Sequence, residues 1–223
     1  MAPWSRFLGA TLLALLLLTA CGDRPELQPL PSDATILAFG DSLTAGTGGD
    51  AEHNYPALLE KRLGHRVINA GVPGELSAEG VKRLPSLLER HDPDLVILCH
   101  GGNDLLKKRD RAQLAAHLRT MIRASRDHGA QVLLVGVPEP GVWLRDAKLY
   151  RQVAEETGTV YEGDALEGIL GDGGLKSDPV HPNGEGYRKL AGAIAERLEE
   201  AGVVESSSSR KAGKAEKPNT EIR

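Results

Sequence analysis

The sequence predicts a three-layer α/β/α sandwich built on a parallel sheet of about five strands, and two observations predict it. Short apolar runs recur through residues 34–204, and between them lie longer segments whose apolar residues return at helical spacing. Strands that alternate with helices of this length are joined by right-handed crossovers, which make the sheet parallel and cover both its faces. No internal repeat appears, so one sheet accounts for the whole body. The strand order expected is the flavodoxin-like one.

The first candidate strand is Thr35-Ile36-Leu37-Ala38-Phe39, followed by residues 66–70, 95–99 and 131–136, with 159–161 the weakest. Such short runs, rich in Val, Ile and Leu, suit strands buried on both faces. Candidate helices occupy residues 55–63, 78–88, 114–126, 147–156 and 186–201. In the third of these, Leu114, Leu118, Met121 and Ile122 fall on one face. Open parallel sheets bind ligands beyond the carboxyl ends of their strands. The loops to inspect are therefore residues 40–50, 71–76, 100–108, 137–143 and the stretch before the last helix.

Of the 223 residues, 40% are hydrophobic and 26% charged, a globular balance. Aromatics make up only 4%, which leaves aliphatic side chains to fill the core. The net charge of −4 offers no basic face for phosphate, so nucleic acid is excluded as a partner. Two cysteines, Cys21 and Cys99, are too few for a disulfide framework. Cys99 lies within an apolar run and reads as a buried, inert thiol. No Cys-x-x-Cys pair or His/Cys cluster proposes a metal site.

The two ends differ from the body. Arg6 is the only charged residue ahead of the apolar run 8–18. A bilayer core about 30 Å thick needs roughly 20 apolar residues, so the run is too short to span. It has the basic and hydrophobic parts of a secretory signal peptide. The run closes on Leu18-Thr19-Ala20-Cys21, which resembles the lipobox of bacterial lipoproteins. That resemblance implies a signal peptide over residues 1–20, lipid on the Cys21 thiol, cleavage before it and acylation of the new amino terminus. Two or more acyl chains anchor a protein stably where one does not. Residues 21–33 hold three prolines without periodicity and read as a tether. Residues 205–223 carry four serines in a row and mixed charge, and read as a disordered tail. Gly22 stands where an aspartate retains many lipoproteins at the inner membrane, so an outer-membrane anchor facing the periplasm is expected.

Four loops carry the chemistry. Gly40-Asp41-Ser42-Leu43-Thr44-Ala45-Gly46 follows the first strand. A serine there can project its hydroxyl at the sheet edge with its own N–H alongside; equally, Asp-Ser before a loop is a common helix cap. The run is not the Gly-x-Ser-x-Gly elbow of another hydrolase fold. Asn69-Ala70-Gly71-Val72-Pro73-Gly74-Glu75 presents Gly74, whose N–H can approach a ligand closely. His100-Gly101-Gly102-Asn103-Asp104 offers Asn103, an uncharged amide donor. Asp178-Pro179-Val180-His181-Pro182-Asn183-Gly184 sets a carboxylate three residues ahead of an imidazole.

Other readings of these residues carry less. Asp178 and His181 lack a third metal ligand at suitable spacing. Gly46-Thr47-Gly48-Gly49-Asp50-Ala51 has the letters of a dinucleotide fingerprint but stands several residues past its strand. His100 reads as a strand-end residue bonded to backbone, ahead of a role in touching substrate. Asp41 and Asp104 read as carboxylates that orient loops, and His53, His65, His91, His117 and His128 as solvated.

Together the four blocks resemble the SGNH hydrolase family, the GDSL esterases and lipases, from about Ile36 to Leu198. The likeness is nearest to the branch of bacterial thioesterases, lysophospholipases and arylesterases. It implies a serine carboxylester hydrolase acting on a small acyl ester with neither cofactor nor metal. In that scheme Ser42 attacks the acyl carbon, His181 is the general base, and Asp178 orients the imidazole. An ordinary imidazole, with a pKa near 6.5, suits the task at neutral pH. The N–H groups of Ser42 and Gly74 and the amide of Asn103 form the oxyanion hole, where losing one donor costs about 10²–10³ in rate. A lipid-anchored enzyme outside the cytoplasm meets phospholipids and exogenous esters more readily than acyl-CoA, which favours a lysophospholipase or arylesterase. The alternatives are an O-acetylesterase of cell-envelope polysaccharide and an inactive ligand-binding lipoprotein. Residues 137–143 and 105–108 are expected to line the acyl pocket, with Val142, Trp143 and Leu144 favouring an acyl chain over a sugar.

Overall fold

The computed structural model describes residues 27–139 and 148–204. The expected signal peptide, Cys21, residues 22–26 of the tether, residues 140–147 of the expected pocket loop and the tail from 205 lie outside the described residues.

Strands β1 (Thr35–Gly40), β2 (Arg66–Gly71), β3 (Leu95–Cys99), β4 (Gln131–Val135) and β5 (Val160–Glu162) form one sheet in the order β2-β1-β3-β4-β5. Every pairing is parallel. This is the flavodoxin-like order, whose direction of winding reverses between β1 and β3. Those two strands are buried throughout apart from Thr35, whereas edge strand β2 is half-exposed along its length. At their carboxyl ends β1 and β3 approach so closely that a Cβ on Gly40 would lie 2.0 Å from the Cys99 carbonyl oxygen. Only glycine fits there, and the residues after it are delivered straight into the crevice.

Eight helices complete the described residues: α1 (Ser42–Ala45), α2 (Tyr55–Leu63), α3 (Ser77–His91), α4 (Gly102–Leu106), α5 (Arg111–Asp127), α6 (Lys148–Thr157), α7 (Ala165–Gly171) and α8 (Gly184–Glu200). Helices α3, α5 and α6 pack together on one face and α2, α7 and α8 on the other, giving the three layers. The expected helices are present, and the buried stripe of α5 includes Leu114, Leu118, Met121 and Ile122. Its start falls earlier than expected because a polar cap, Asp110, accepts the Ala112 N–H at 2.7 Å ahead of the first apolar residue. Likewise Asn183 caps α8 through the N–H groups of Glu185 and Gly186, both at 3.0 Å. Helices α1, α4 and α7 escaped the sequence reading because none has the two or more turns over which a helical period shows.

The core is aliphatic with three fully buried tyrosines, Tyr55, Tyr150 and Tyr187. Each hydroxyl pins a loop that follows β1 or β3: Tyr55 meets Thr44 Oγ1 at 2.9 Å, Tyr187 donates to the Thr47 carbonyl at 2.8 Å, and Tyr150 to that of His100 at 2.8 Å. A buried hydroxyl left without a partner is costly, so these bonds fix the loops to the core. Cys99 is buried, and burial pushes its thiol well above the ordinary range, in keeping with an inert residue.

The expected tether is a correction in part. From Leu27 the chain lies against the body: the Leu27 N–H donates to the Ala201 carbonyl at 3.1 Å, the Leu30 N–H to that of Val203 at 2.9 Å, and both leucines pack on the core. Their apolar side chains are what dock a stretch whose prolines suggested a free linker. The packed body therefore reaches back to Leu27 rather than starting at Ala34.

Candidate active site

Ser42 opens α1 two residues beyond the end of β1. Asp41 caps that turn, its Oδ1 accepting the Leu43 N–H at 3.1 Å. The capping and the displayed hydroxyl, alternatives in the sequence, thus coexist on neighbouring residues. Burial pushes the Asp41 carboxyl up, against the pull of His100 and the Leu43 N–H.

His181 arrives from the far end of the chain, just ahead of α8. The loop that carries it closes on itself: Ser177 N–H donates to the His181 carbonyl at 3.0 Å, and Asn183 N–H to that of Leu175 at 2.9 Å. His181 Nε2 lies 2.9 Å from Ser42 Oγ, and its Nδ1 2.7 Å from Asp178 Oδ2. The other Asp178 oxygen accepts the N–H groups of Val180 and His181, both at 2.9 Å. A carboxylate facing Nδ1 holds the proton on that nitrogen, which leaves the Nε2 lone pair for the serine hydroxyl. Partial burial pushes the Asp178 carboxyl up, but the bonds from the His181 ring and the Val180 N–H outweigh it and hold it below its ordinary range. Asp178 remains 44% exposed and His181 18%, so the pair faces the solvent side of the crevice.

The opposite wall comes from the loops after β2 and β3. Val72 to Glu75 form a turn closed by the Glu75 N–H on the Val72 carbonyl at 3.2 Å. Pro73 takes its second position and Gly74 its third, with φ +81°, the preferences of a type II turn. The Gly74 N–H stays outside the turn's own bond. Neither it nor the Ser42 N–H has a protein acceptor among the described residues. Asn103 sits in the first turn of α4, and its Nδ2 donates to the Glu75 carbonyl at 3.1 Å. One amide hydrogen is thereby used for aim, and the second stays free. Asp104 ties the same wall together by accepting the Ser77 N–H at 2.9 Å and the Ser77 hydroxyl at 2.7 Å.

Beneath this wall lies a buried ion cluster that the sequence reading missed. The Glu75 carboxylate accepts Arg83 Nε at 2.7 Å, Arg83 Nη2 at 2.6 Å and pairs with His100 Nε2 at 3.0 Å. The Arg83 guanidinium stacks 4.2 Å over the Phe39 ring. Burial alone would raise the Glu75 carboxyl, but His100 and Arg83 bring it down to about 2. His100 is thus neither bonded through its ring to backbone nor part of the cleft lining; it is fully buried under it. No local signal links residues 75, 83 and 100, since they come from a loop, a helix and a strand end. His117 also departs from expectation: half-buried, it bonds the Ser77 hydroxyl at 2.8 Å.

Ser42, Asn103 and His181 open onto a cleft of about 420 Å³, counting its open mouth. Its apolar lining comes from Leu43, Leu106, Val137, Pro138, Leu170 and Val180. Leu106 and Val137 fall in the loops expected to line an acyl pocket, while Leu170 belongs to α7 and was not foreseen. Residues 46–51 of the dinucleotide-like run form turns with no helix opening until Tyr55. Among the described residues, no three His, Cys, Asp or Glu side chains gather closely enough to hold a metal ion.

Comparison with known proteins gives a consistent result. A family model described as the GDSL-like lipase/acylhydrolase family matches residues 38–189. The chain is 38% identical over 178 residues to Esterase TesA of Pseudomonas aeruginosa, covering 75% of this chain and 89% of that one. It is 30% identical over 173 residues to the thioesterase 1/protease 1/lysophospholipase L1 of Escherichia coli, covering 74% and 83%. Among solved structures, AlinE4, an SGNH-hydrolase family esterase, superposes with a TM-score of 0.60 at 32% identity, covering 77% of this chain and 98% of that one.

Proposed function

We propose, from the premise that this chain belongs to the GDSL-like lipase/acylhydrolase family and hydrolyses ester bonds, that Ser42, His181 and Asp178 carry the reaction on small acyl esters of lysophospholipid or aryl type. The observation that carries this reading is the unbroken hydrogen-bonded line Ser42–His181–Asp178 at the mouth of an apolar cleft.

In that mechanism the Ser42 oxygen attacks the acyl carbon while its proton passes to His181 Nε2. The carbonyl π pair moves onto oxygen, and the N–H groups of Ser42 and Gly74 and the free amide hydrogen of Asn103 stabilise that charge. Asp178 stabilises the imidazolium without taking its proton. Collapse of the intermediate breaks the bond to the alcohol, which leaves with the proton from His181. Water then loses a proton to the same nitrogen, attacks the acyl-serine, and frees the acid and the Ser42 hydroxyl. No step calls for a metal.

The test is labelling by a fluorophosphonate, expected with the intact protein and lost in Ser42→Ala. Failure of the intact protein to label refutes the mechanism. An acyl-length series on aryl esters resolves the substrate: hydrolysis confined to acetyl, with none on lysophospholipid, would replace the lipase reading by an O-acetylesterase. We also propose that the chain is an exported lipoprotein held through Cys21 at the outer membrane and facing the periplasm. Support for this is the Leu18-Thr19-Ala20-Cys21 run after an apolar segment. Globomycin should block its processing, and Cys21→Ala should move it out of the membrane fraction.

A further inference from the structure

The point where the described chain begins, Leu27, and the cleft lie at opposite poles of the body. Leu27 and Leu30 bond to Ala201 and Val203, just past the carboxyl end of α8, and Gln28 bonds to Gln131, the first residue of β4. This is the edge where the strands begin. The cleft lies where they end, and His181 stands immediately before the other end of α8. A helix of 17 residues spans about 25 Å at ~1.5 Å per residue. Running from one pole to the other, that helix sets the separation between the point where the chain leaves the body and the reacting groups at about 25 Å.

The chain between Cys21 and Leu27 is short. At ~3.3–3.6 Å per residue, six steps reach roughly 20 Å when fully extended. Turning the body so that its cleft meets the leaflet holding the acyl chains of Cys21 would lift Leu27 to about 25 Å above that leaflet. The tether falls short of this. Leu27 cannot be peeled away to lengthen it without giving up its packing on the core and its bond to Ala201. The two described large hydrophobics that are exposed, Val72 and Leu106, sit in the loops after β2 and β3, at the cleft pole. The apolar surface that could meet a bilayer is therefore at the pole turned away from Leu27.

We infer that the anchored enzyme takes its acyl ester from the aqueous side, as a substrate dissolved in water, and does not act on esters embedded in the leaflet that anchors it. This rests on both the ester-hydrolase and the Cys21-anchor readings. It narrows the lysophospholipid assignment to molecules that have left the bilayer. The tether acts as a geometric filter: one site, with access set by chain length.

The test uses the full lipidated chain in phosphatidylcholine vesicles. Two fluorogenic esters are supplied, a short-chain aryl ester dissolved in water and a long-chain ester resident in the bilayer. The second is placed either in the vesicles that carry the enzyme or in a separate population. The dissolved ester should be hydrolysed equally by anchored protein and by Cys21→Ala. The bilayer ester in the enzyme's own vesicles should be hydrolysed no faster than in the separate ones. Inserting about twenty Gly/Ser residues between Arg24 and Pro25 should raise the same-vesicle rate by about tenfold or more, because the site then reaches a substrate at high effective concentration. A native tether that already shows that advantage overturns the inference, and so does a long tether that shows none. Failure to float with the vesicles overturns the anchor reading beneath it. Loss of activity on the dissolved ester overturns the hydrolase reading instead.

Discussion

The ion cluster under the wall that carries Gly74 and Asn103 gives the sharpest test of how this site is built. Asn103 is aimed by the Glu75 carbonyl, and Glu75 is held by Arg83 and His100. Glu75→Gln keeps the shape but turns an amide NH₂ toward groups that are themselves donors. Glu75 is 6% exposed and Arg83 25%. Breaking a buried pair typically costs roughly 3–5 kcal/mol, and solvent screening at Arg83 puts this one at the lower end, about 3 kcal/mol. The carboxyl's fall from 4.5 to about 2 leads to a similar upper bound, at ~1.36 kcal/mol per unit. For a body of this size the melting temperature should drop by about 6–12 °C. Because the folded-state value is depressed, the wild-type advantage is fully present above about pH 4.5 and closes as the pH falls toward 2. On catalysis, kcat should fall about tenfold with KM little changed, within the 10²–10³ ceiling for losing the Asn103 donor outright. Steady-state hydrolysis of an aryl ester in a cycle of Glu75→Gln, Asn103→Ala and the double variant decides the matter. If Glu75 acts through Asn103, the double variant is no slower than Asn103→Ala. Losses that multiply would refute the reasoning, as would a destabilised Glu75→Gln with unchanged kcat.

The remaining predictions concern the crevice itself. Gly74→Ala should lower kcat at least tenfold at a stability cost of only about 1 kcal/mol, since the new Cβ meets nothing within 4 Å and the strain is confined to φ +81°. Kinetics and thermal melts check the two halves separately. Asp178→Asn should cost about 10²–10³ in kcat, less than the ~10⁴ known for a fully buried triad aspartate, because water can reach its place at 44% exposure. Asp178 is held below its ordinary range, so a kcat/KM–pH profile should show no limb from its carboxyl in the ordinary carboxylate range. A limb in that range that disappears in Asp178→Asn would contradict this. Leu170→Ala should lengthen the cleft and shift kcat/KM toward longer acyl chains by about tenfold, read from the same aryl-ester series.

Much of the site was legible because its chemistry is local in sequence. Asp178 and His181 are three residues apart, so one loop makes their contact whatever the rest of the chain does. Gly74 follows a proline in a turn, and Asn103 follows two glycines after a buried strand. The strand order was legible for a related reason. Alternating short apolar runs and amphipathic segments admit few packings once crossovers must be right-handed. The letters alone left Ser42 poised between a helix cap and a nucleophile.

Tertiary structure decided everything that depends on distance along the chain. Ser42 and His181 meet at 2.9 Å across 139 positions, and the packing of α8 against α2, with the Tyr187 hydroxyl on the Thr47 carbonyl, brings their loops together. The Glu75–Arg83–His100 cluster was invisible because each member is ordinary where it stands, and a histidine at a strand end has no sequence mark of a carboxylate partner. The docking of Leu27 against α8 was hidden by prolines that suggest a free linker. A period or a motif reports what neighbouring residues do together. Buried charge pairing and the placement of poles are properties of the packed whole, set by which elements the core forces side by side.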